Sequence, residues 1–266
     1  MDARQLFDLK GKVAVVTGGV SGLGRQMAEG MAEFGAHLVI ASRREQKCQE
    51  VCKVLSSRYG IEAVAMKLDV LKEKDISHLI HNTVRHFGRI DILMNNVGGA
   101  IISDTVDTRT EDWKEIFDLN VTSTFIGCRE AGRYMIEKRY GKIINIASVY
   151  GFIGSDPRNY VDTGEPREAL SYNASKGAII SLTRELAVNW IKYGINVNAI
   201  SPGAFETEAT KEMLTDYCRK KFSYAIPAGR MGTEDDLKGA AVLLASDASK
   251  YMVGQNIVVD GGWSVW

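Results

Sequence analysis

Seven short apolar runs, each followed by enough chain for a helix, constrain this sequence more than any other feature. They are Lys12 to Thr17, His37 to Ala41, Ala63 to Leu68, Ile90 to Met94, Lys142 to Ile146, Ile195 to Ile200 and Asn256 to Val259. Short β-branched runs bounded by glycine or polar residues read as buried strands. After the first run, Leu23, Met27, Met31 and Phe34 recur at helical spacing. Strand and helix alternating in this way predict an α/β fold, a doubly wound parallel sheet of seven strands. Only four prolines occur, at 157, 166, 202 and 227, and no Pro/Ser-rich stretch reads as a linker, so residues 1–266 are expected to form a single domain.

Composition closes off several classes of function. The 33 basic and 33 acidic side chains balance to a formal net charge of zero, with no block of like charge, which argues against nucleic acid as a partner. No apolar run approaches the ~20 residues of a membrane span, and the first ten residues carry four charges where a signal peptide needs an apolar run. Cys48, Cys52, Cys128 and Cys218 lack disulfide-framework or metal-site spacing; with no metal expected, free thiols and a cytoplasmic location are. His78 and His81 fall in a polar helical stretch without a third ligand and are expected to be solvated.

Sheets of this kind bind ligands just beyond the carboxyl ends of their strands. The first such turn, Thr17-Gly18-Gly19-Val20-Ser21-Gly22-Leu23-Gly24, spaces three glycines between a strand and a helix. Glycine lets the backbone approach a pyrophosphate, and the helix N-terminus offers free N–H groups. Beyond the second strand stands Ser42-Arg43-Arg44, with no acid for ribose hydroxyls, and Arg43 is a candidate partner for a 2′-phosphate. That favours NADP(H), with NAD(H) possible. Asp69 and Val70 follow the third strand, with Asp69 placed to accept from an adenine amino group; Asn95-Asn96-Val97-Gly98 follows the fourth. Tyr172-Asn173-Ala174-Ser175-Lys176 sets a phenol and an ammonium on one helical face. A Lys charge several ångströms away would favour the phenolate and suit Tyr172 to acid/base work near neutral pH.

Together Gly18, Gly22, Gly24, Asn95-Asn96-Val97-Gly98, Asn120, Ser148, Tyr172 and Lys176 resemble the short-chain dehydrogenase/reductase family, from Lys12 to Gly262. The resemblance implies a Rossmann-type sheet, a nicotinamide cofactor, an enzyme interconverting a ketone and a secondary alcohol, and a homotetramer. It implies that Tyr172 exchanges the proton of the substrate oxygen and Ser148 hydrogen-bonds that oxygen. Lys176 would hold the nicotinamide ribose, and Asn120 would bind a water linking Lys176 to solvent. The implied cofactor set comprises Gly18, Ser21, Gly22, Leu23, Gly24, Ser42, Arg43, Asp69, Val70, Asn96, Tyr172, Lys176, Pro202, Gly203, Phe205 and Thr207, with 204–226 as the substrate loop.

Two departures from the family pattern stand out. Val97 replaces the more usual alanine, and Ser148 and Tyr172 lie 24 residues apart, about twice the usual separation. The extra segment, Ser155 to Leu170, is rich in charge and includes Asp156, Pro157, Arg158, Asp162, Glu165, Pro166, Arg167 and Glu168. It is expected to cover the site mouth, with Arg158 or Arg167 gripping a substrate carboxylate. The opening Leu6 to Lys12, Ala41-Ser42-Arg43 and Val259 to Trp263 are most similar to gluconate 5-dehydrogenase-like sugar-acid or polyol members. Rival readings are a 3-oxoacyl-carrier-protein reductase, a hydroxysteroid dehydrogenase with an apolar pocket, and a dinucleotide-binding regulator without turnover.

Overall fold

The computed structural model describes residues 2–156, 158 and 168–266. In chain order its elements are α1 (Ala3–Leu6), β1 (Val13–Thr17), α2 (Gly22–Glu33), β2 (His37–Ser42), α3 (Glu45–Tyr59), β3 (Ala63–Lys67), α4 (Glu73–Phe87) and β4 (Ile92–Asn95). Then follow α5 (Thr110–Phe117), α6 (Ser123–Lys138), β5 (Gly141–Ile146), α7 (Leu170–Trp190), β6 (Ile195–Pro202), α8 (Glu208–Met213), α9 (Asp216–Ala225), α10 (Lys238–Ala245) and β7 (Asn256–Val259). Every apolar run named above became a strand, with ends moved by two residues at most.

The seven strands are parallel in the order β3-β2-β1-β4-β5-β6-β7. Strand alternation divides the core between the two faces. Ala14, Val16, Leu38 and Ile40 pack with Met27 and Met31 of α2, Cys48 and Leu55 of α3, and Ala241 and Leu244 of α10. Val15, Val39, Leu93, Ile143 and Val197 point the other way, onto Leu79 and Ile80 of α4, Met135 of α6 and Ala187 of α7. With both faces covered, β1, β4 and β5 are buried throughout, as a parallel sheet requires. The chain winds outward from β1 to β3 and then returns to lay β4 on the other side of β1. That reversal opens a crevice between the loops that leave β1 and β4.

A five-residue π-helical turn, Asp118–Thr122, joins α5 to α6. The Ser123 N–H reaches back to Asp118 O, and the Leu119 and Asn120 carbonyls accept from Ser123 Oγ (2.5 Å) and Thr124 Oγ1 (2.7 Å). A wide turn frees carbonyls that the regular ladder would use, and hydroxyls one turn on satisfy them. All four cysteines are free and buried, whereas His78 and His81 are exposed. No helix is long and apolar enough to cross a membrane among the described residues.

Candidate active site

At the end of β1 the chain turns through Gly18 and Gly22, both left-handed at φ +70° and +53°, a conformation that side chains with a Cβ rarely adopt. A Cβ on Gly24 would overlap Asn96 Nδ2 and lie 2.5 Å from Gly18 O. Asn96 Nδ2 donates to Thr17 O (3.0 Å) and Gly18 O (3.3 Å), so this side chain braces the turn. Ser21, the residue capping α2, makes no side-chain bond to the helix. The first N–H groups of α2 therefore stay available to an anion.

The Ser21 hydroxyl instead accepts from Arg44 Nη2 at 3.1 Å. Arg43, the candidate partner for a 2′-phosphate, is exposed just beyond β2, and its neighbour Arg44 sets a second guanidinium against the glycine turn. Ser42 Oγ accepts from Arg44 N (3.1 Å) and so helps to direct that side chain. Asp69 takes the Leu71 N–H at 3.3 Å and pairs with Lys72 at 3.5 Å, and Val70 lies at the edge of the α4 core.

Four elements bring the remaining candidates together. Ser148, two residues beyond β5, is buried and accepts from Tyr150 N at 3.2 Å. Near it lies the phenol of Tyr172, in the first turn of α7, on which Ser148 acts against the effect of burial. Lys176, one turn on, is buried with Nζ donating to Ile146 O at 2.7 Å. That nitrogen sits 5.5 Å from the centre of the Tyr172 ring. Asn120, in the π turn, donates to Gly99 O (3.0 Å) and Ser175 Oγ (2.8 Å) and accepts from Gly99 N (2.9 Å). It thereby ties the loop after β4 to α7, and its Oδ1 and Lys176 Nζ flank Gly98.

One electrostatic expectation is corrected. Burial pushes the Tyr172 phenol above its ordinary value, and the neighbouring Ser148 hydroxyl only partly opposes that. Burial also pushes Lys176 down, to about 8. The ammonium is engaged by the Ile146 carbonyl rather than by the phenol oxygen, so desolvation outweighs the attraction expected of the pair.

A cleft of about 480 Å³ runs past these groups. Ser21, Gly22, Leu23, Gly24 and Asn96 line one end, Ser148, Tyr172 and Lys176 the middle, and Pro202, Gly203, Phe205 and Thr207 the wall beyond. Gly18, Ser42, Arg43, Asp69, Val70 and Asn120 lie outside this lining. Gly203 is confined, since a Cβ there would come 2.7 Å from Asp260 Cβ. Residues 204–226 hold α8 and α9, and Leu214 and Phe222 from this stretch form the far wall with Tyr150, Met231 and Trp263. The Trp263 ring meets Tyr150 (5.5 Å, 77°) and Phe222 (5.3 Å, 89°) edge to face. Sequence reasoning missed this aromatic wall, because its members are distant in the chain and share no local pattern.

Within the extra segment, Pro157, Asp162, Glu165, Pro166 and Arg167 lie outside the described residues. Arg158, one of the two cations offered for a substrate carboxylate, has an exposed guanidinium paired with Asp156 at 2.8 Å, two residues away, and lies outside the cleft lining. Ser155 and Glu168, at the two ends, are both held by neighbours of the cleft.

Comparison with known proteins agrees with this geometry. Residues 18–264 match the family model described as Enoyl-(Acyl carrier protein) reductase. The chain is 39% identical over 259 residues to the 2-dehydro-3-deoxy-D-gluconate 5-dehydrogenase of Dickeya dadantii, covering 97% of each. It is 34% identical over 259 residues to an NAD-dependent glycerol dehydrogenase of Listeria innocua, covering 97% of this chain and 96% of that one. A solved gluconate 5-dehydrogenase from Burkholderia cenocepacia, in complex with NADP and tartrate, has a TM-score of 0.90 at 33% identity and covers 100% of both chains.

Proposed function

The chain belongs to the short-chain dehydrogenase/reductase family and is an oxidoreductase acting on CH–OH groups; from that premise we propose that Ser148 and Tyr172 work on a sugar acid or polyol, with NADP(H) as the preferred dinucleotide. The neighbouring hydroxyls of Ser148 and Tyr172, lining one cleft together with Lys176, carry this reading. The glycine turn and the uncapped start of α2 fit a pyrophosphate. When bound, a nicotinamide dinucleotide supplies or accepts the hydride. Lys176 would hold its ribose, and Ser21, Gly22, Leu23 and Gly24 its phosphates.

Tyr172 then exchanges a proton with the substrate oxygen while Ser148 orients that oxygen by a second hydrogen bond. A phenol held above its ordinary value carries its proton at neutral pH, so it is set to protonate a carbonyl oxygen. Reduction is the direction favoured at neutral pH, and oxidation should gain as the medium turns alkaline. The Lys176 ammonium and Asn120 Oδ1, on either side of Gly98, support a proton path toward solvent through a water at Asn120.

Arg44 at the turn supports the NADP(H) preference, and Arg43 offers a second cation beside it. The sugar-acid or polyol assignment draws on the relatives. A Trp263 wall suits the C–H face of a carbohydrate as well as it suits other apolar surfaces. Exposed Phe125 on α6 and Val188 on α7, with Ile191 just beyond α7, support assembly as a homotetramer, and four free thiols support a cytoplasmic setting. The test is NADPH and NADH oxidation against 5-keto-gluconate, fructose, a 3-oxoacyl thioester and a ketosteroid. Turnover confined to the thioester or the steroid would refute the substrate assignment.

A further inference from the structure

We infer that Thr105 is a positioning residue for Tyr172, acting through a clasp on Glu168 that fixes the start of α7. This rests on the reading of Tyr172 given above. Tyr172 is the third residue of α7, and the residue capping that helix, Ala169, offers no side-chain hydrogen bond. A helix start without a cap frays, and the first turn here bears the phenol. Three bonds from the loop after β4 hold it instead. Ser103 N–H donates to Glu168 O at 3.1 Å, Thr105 N–H donates to Glu168 Oε2 at 2.9 Å, and the Thr105 hydroxyl donates to the same oxygen.

The acceptor is a carboxylate, so the two bonds to Oε2 are charge-assisted. They hold the Glu168 carboxyl below the usual carboxylate range. The partners belong to the loop after β4, whose earlier residues Gly98, Gly99 and Ala100 line the cleft and are tied through Gly99 to Asn120. The clasp therefore couples the phenol to the same loop that Asn120 anchors. A second tie closes the far end of the extra segment, where Asn173 Nδ2, next to Tyr172, donates to Ser155 Oγ at 2.9 Å. With Ser148 and Tyr172 24 residues apart in the chain, these ties fix a separation that a shorter connection would impose by itself.

The experiment compares Thr105→Val, Thr105→Ser and Glu168→Ala in the full chain. Displacing a reacting group by about 1 Å can cost on the order of 100-fold; for a partial loss we expect kcat to fall about tenfold in Thr105→Val and Glu168→Ala. The NADPH Kd should stay within about twofold, and Thr105→Ser should restore kcat, because it keeps the hydroxyl. The double variant should be no worse than Glu168→Ala alone, since that change already removes both bonds to Oε2. Hydrogen exchange at the Ser103 and Asn173 amides should quicken in Thr105→Val and not in Thr105→Ser. Unchanged kcat with unchanged exchange would overturn the inference. So would a loss that serine does not restore, or one shared equally by NADPH binding. If the wild-type chain reduces nothing in the panel, the functional reading fails, and the exchange measurement still decides whether the clasp holds α7.

Discussion

Replacing Gly24 by alanine tests whether the turn after β1 is shaped to receive a pyrophosphate. The added Cβ would overlap Asn96 Nδ2 and stand 2.5 Å from Gly18 O, a backbone atom that cannot swing aside. Overpacking of this kind costs about 1–3 kcal/mol. Displacing the Asn96 amide from Thr17 O and Gly18 O removes two bonds worth about 0.5–1.5 kcal/mol each. The better helix propensity of alanine returns at most about 1 kcal/mol, leaving a net loss of about 3 kcal/mol. For a chain of this size that lowers Tm by about 6–12 °C. NADPH affinity, followed by its fluorescence, should drop more than tenfold, because the start of α2 must move away from the phosphates. Gly239→Ala in α10 is the control: nothing lies within 4 Å of its added Cβ, and stability should rise by about 0.5–1 kcal/mol. A Gly24→Ala chain that melts and binds NADPH like the parent would refute the reasoning.

Tyr172→Phe should lower turnover by about 10²–10⁴ while NADPH binding survives; near-normal steady-state rates would remove Tyr172 from the chemistry. Arg44→Ala should raise KM for NADPH several-fold and leave KM for NADH in place, whereas an equal effect from Arg43→Ala alone would return the role to Arg43. Lys142, buried with Nζ 2.9 Å from Asn196 Oδ1, is pushed by burial from 10.5 down to about 8. Below pH 8 both folded and unfolded states hold that proton and the cost of burial is fully present. Between pH 8 and 10.5 the unfolded chain binds more protons, so this group adds up to about 3 kcal/mol of stability as pH rises. Lys142→Met should flatten that rise in urea titrations at pH 7.5 and 9.5, with the similar contribution of Lys176 left behind; an unaltered rise would dismiss Lys142 as its source.

The strands were legible because a sheet covered on both faces needs continuous apolar runs, and Val13 to Val16 or Ile143 and Ile144 have no other use. The Tyr172 and Lys176 pairing was legible because helical periodicity sets residues four apart on one face. What escaped the sequence were choices made by tertiary contact. Arg43 and Arg44 are chemically equal in the sequence, and only the path of the chain after β2 brings Arg44 to Ser21. The balance at Tyr172 depends on burial against carbonyl engagement, and the sequence does not show that Lys176 is taken by Ile146 O. The π turn did leave a trace, the pair Ser123-Thr124 soon after Asn120, whose hydroxyls satisfy the loosened carbonyls.

That same turn has a consequence for how this enzyme tolerates insertions and deletions. A π turn carries one residue more than the regular helix, so removing a residue from Asp118–Thr122 would relax the join into an unbroken helix and lose no backbone bond. The stretch would be locally more regular and the protein less functional. The wide turn absorbs its extra residue locally, so α5 and α6 would keep their phase, with Trp113 and Ile116 still facing the same neighbours. Asn120, inside the turn, would be drawn back into the regular ladder and away from Gly99 and Ser175. Lineages of this chain should therefore vary freely in length along exposed loops and keep an unchanging count of residues between α5 and α6.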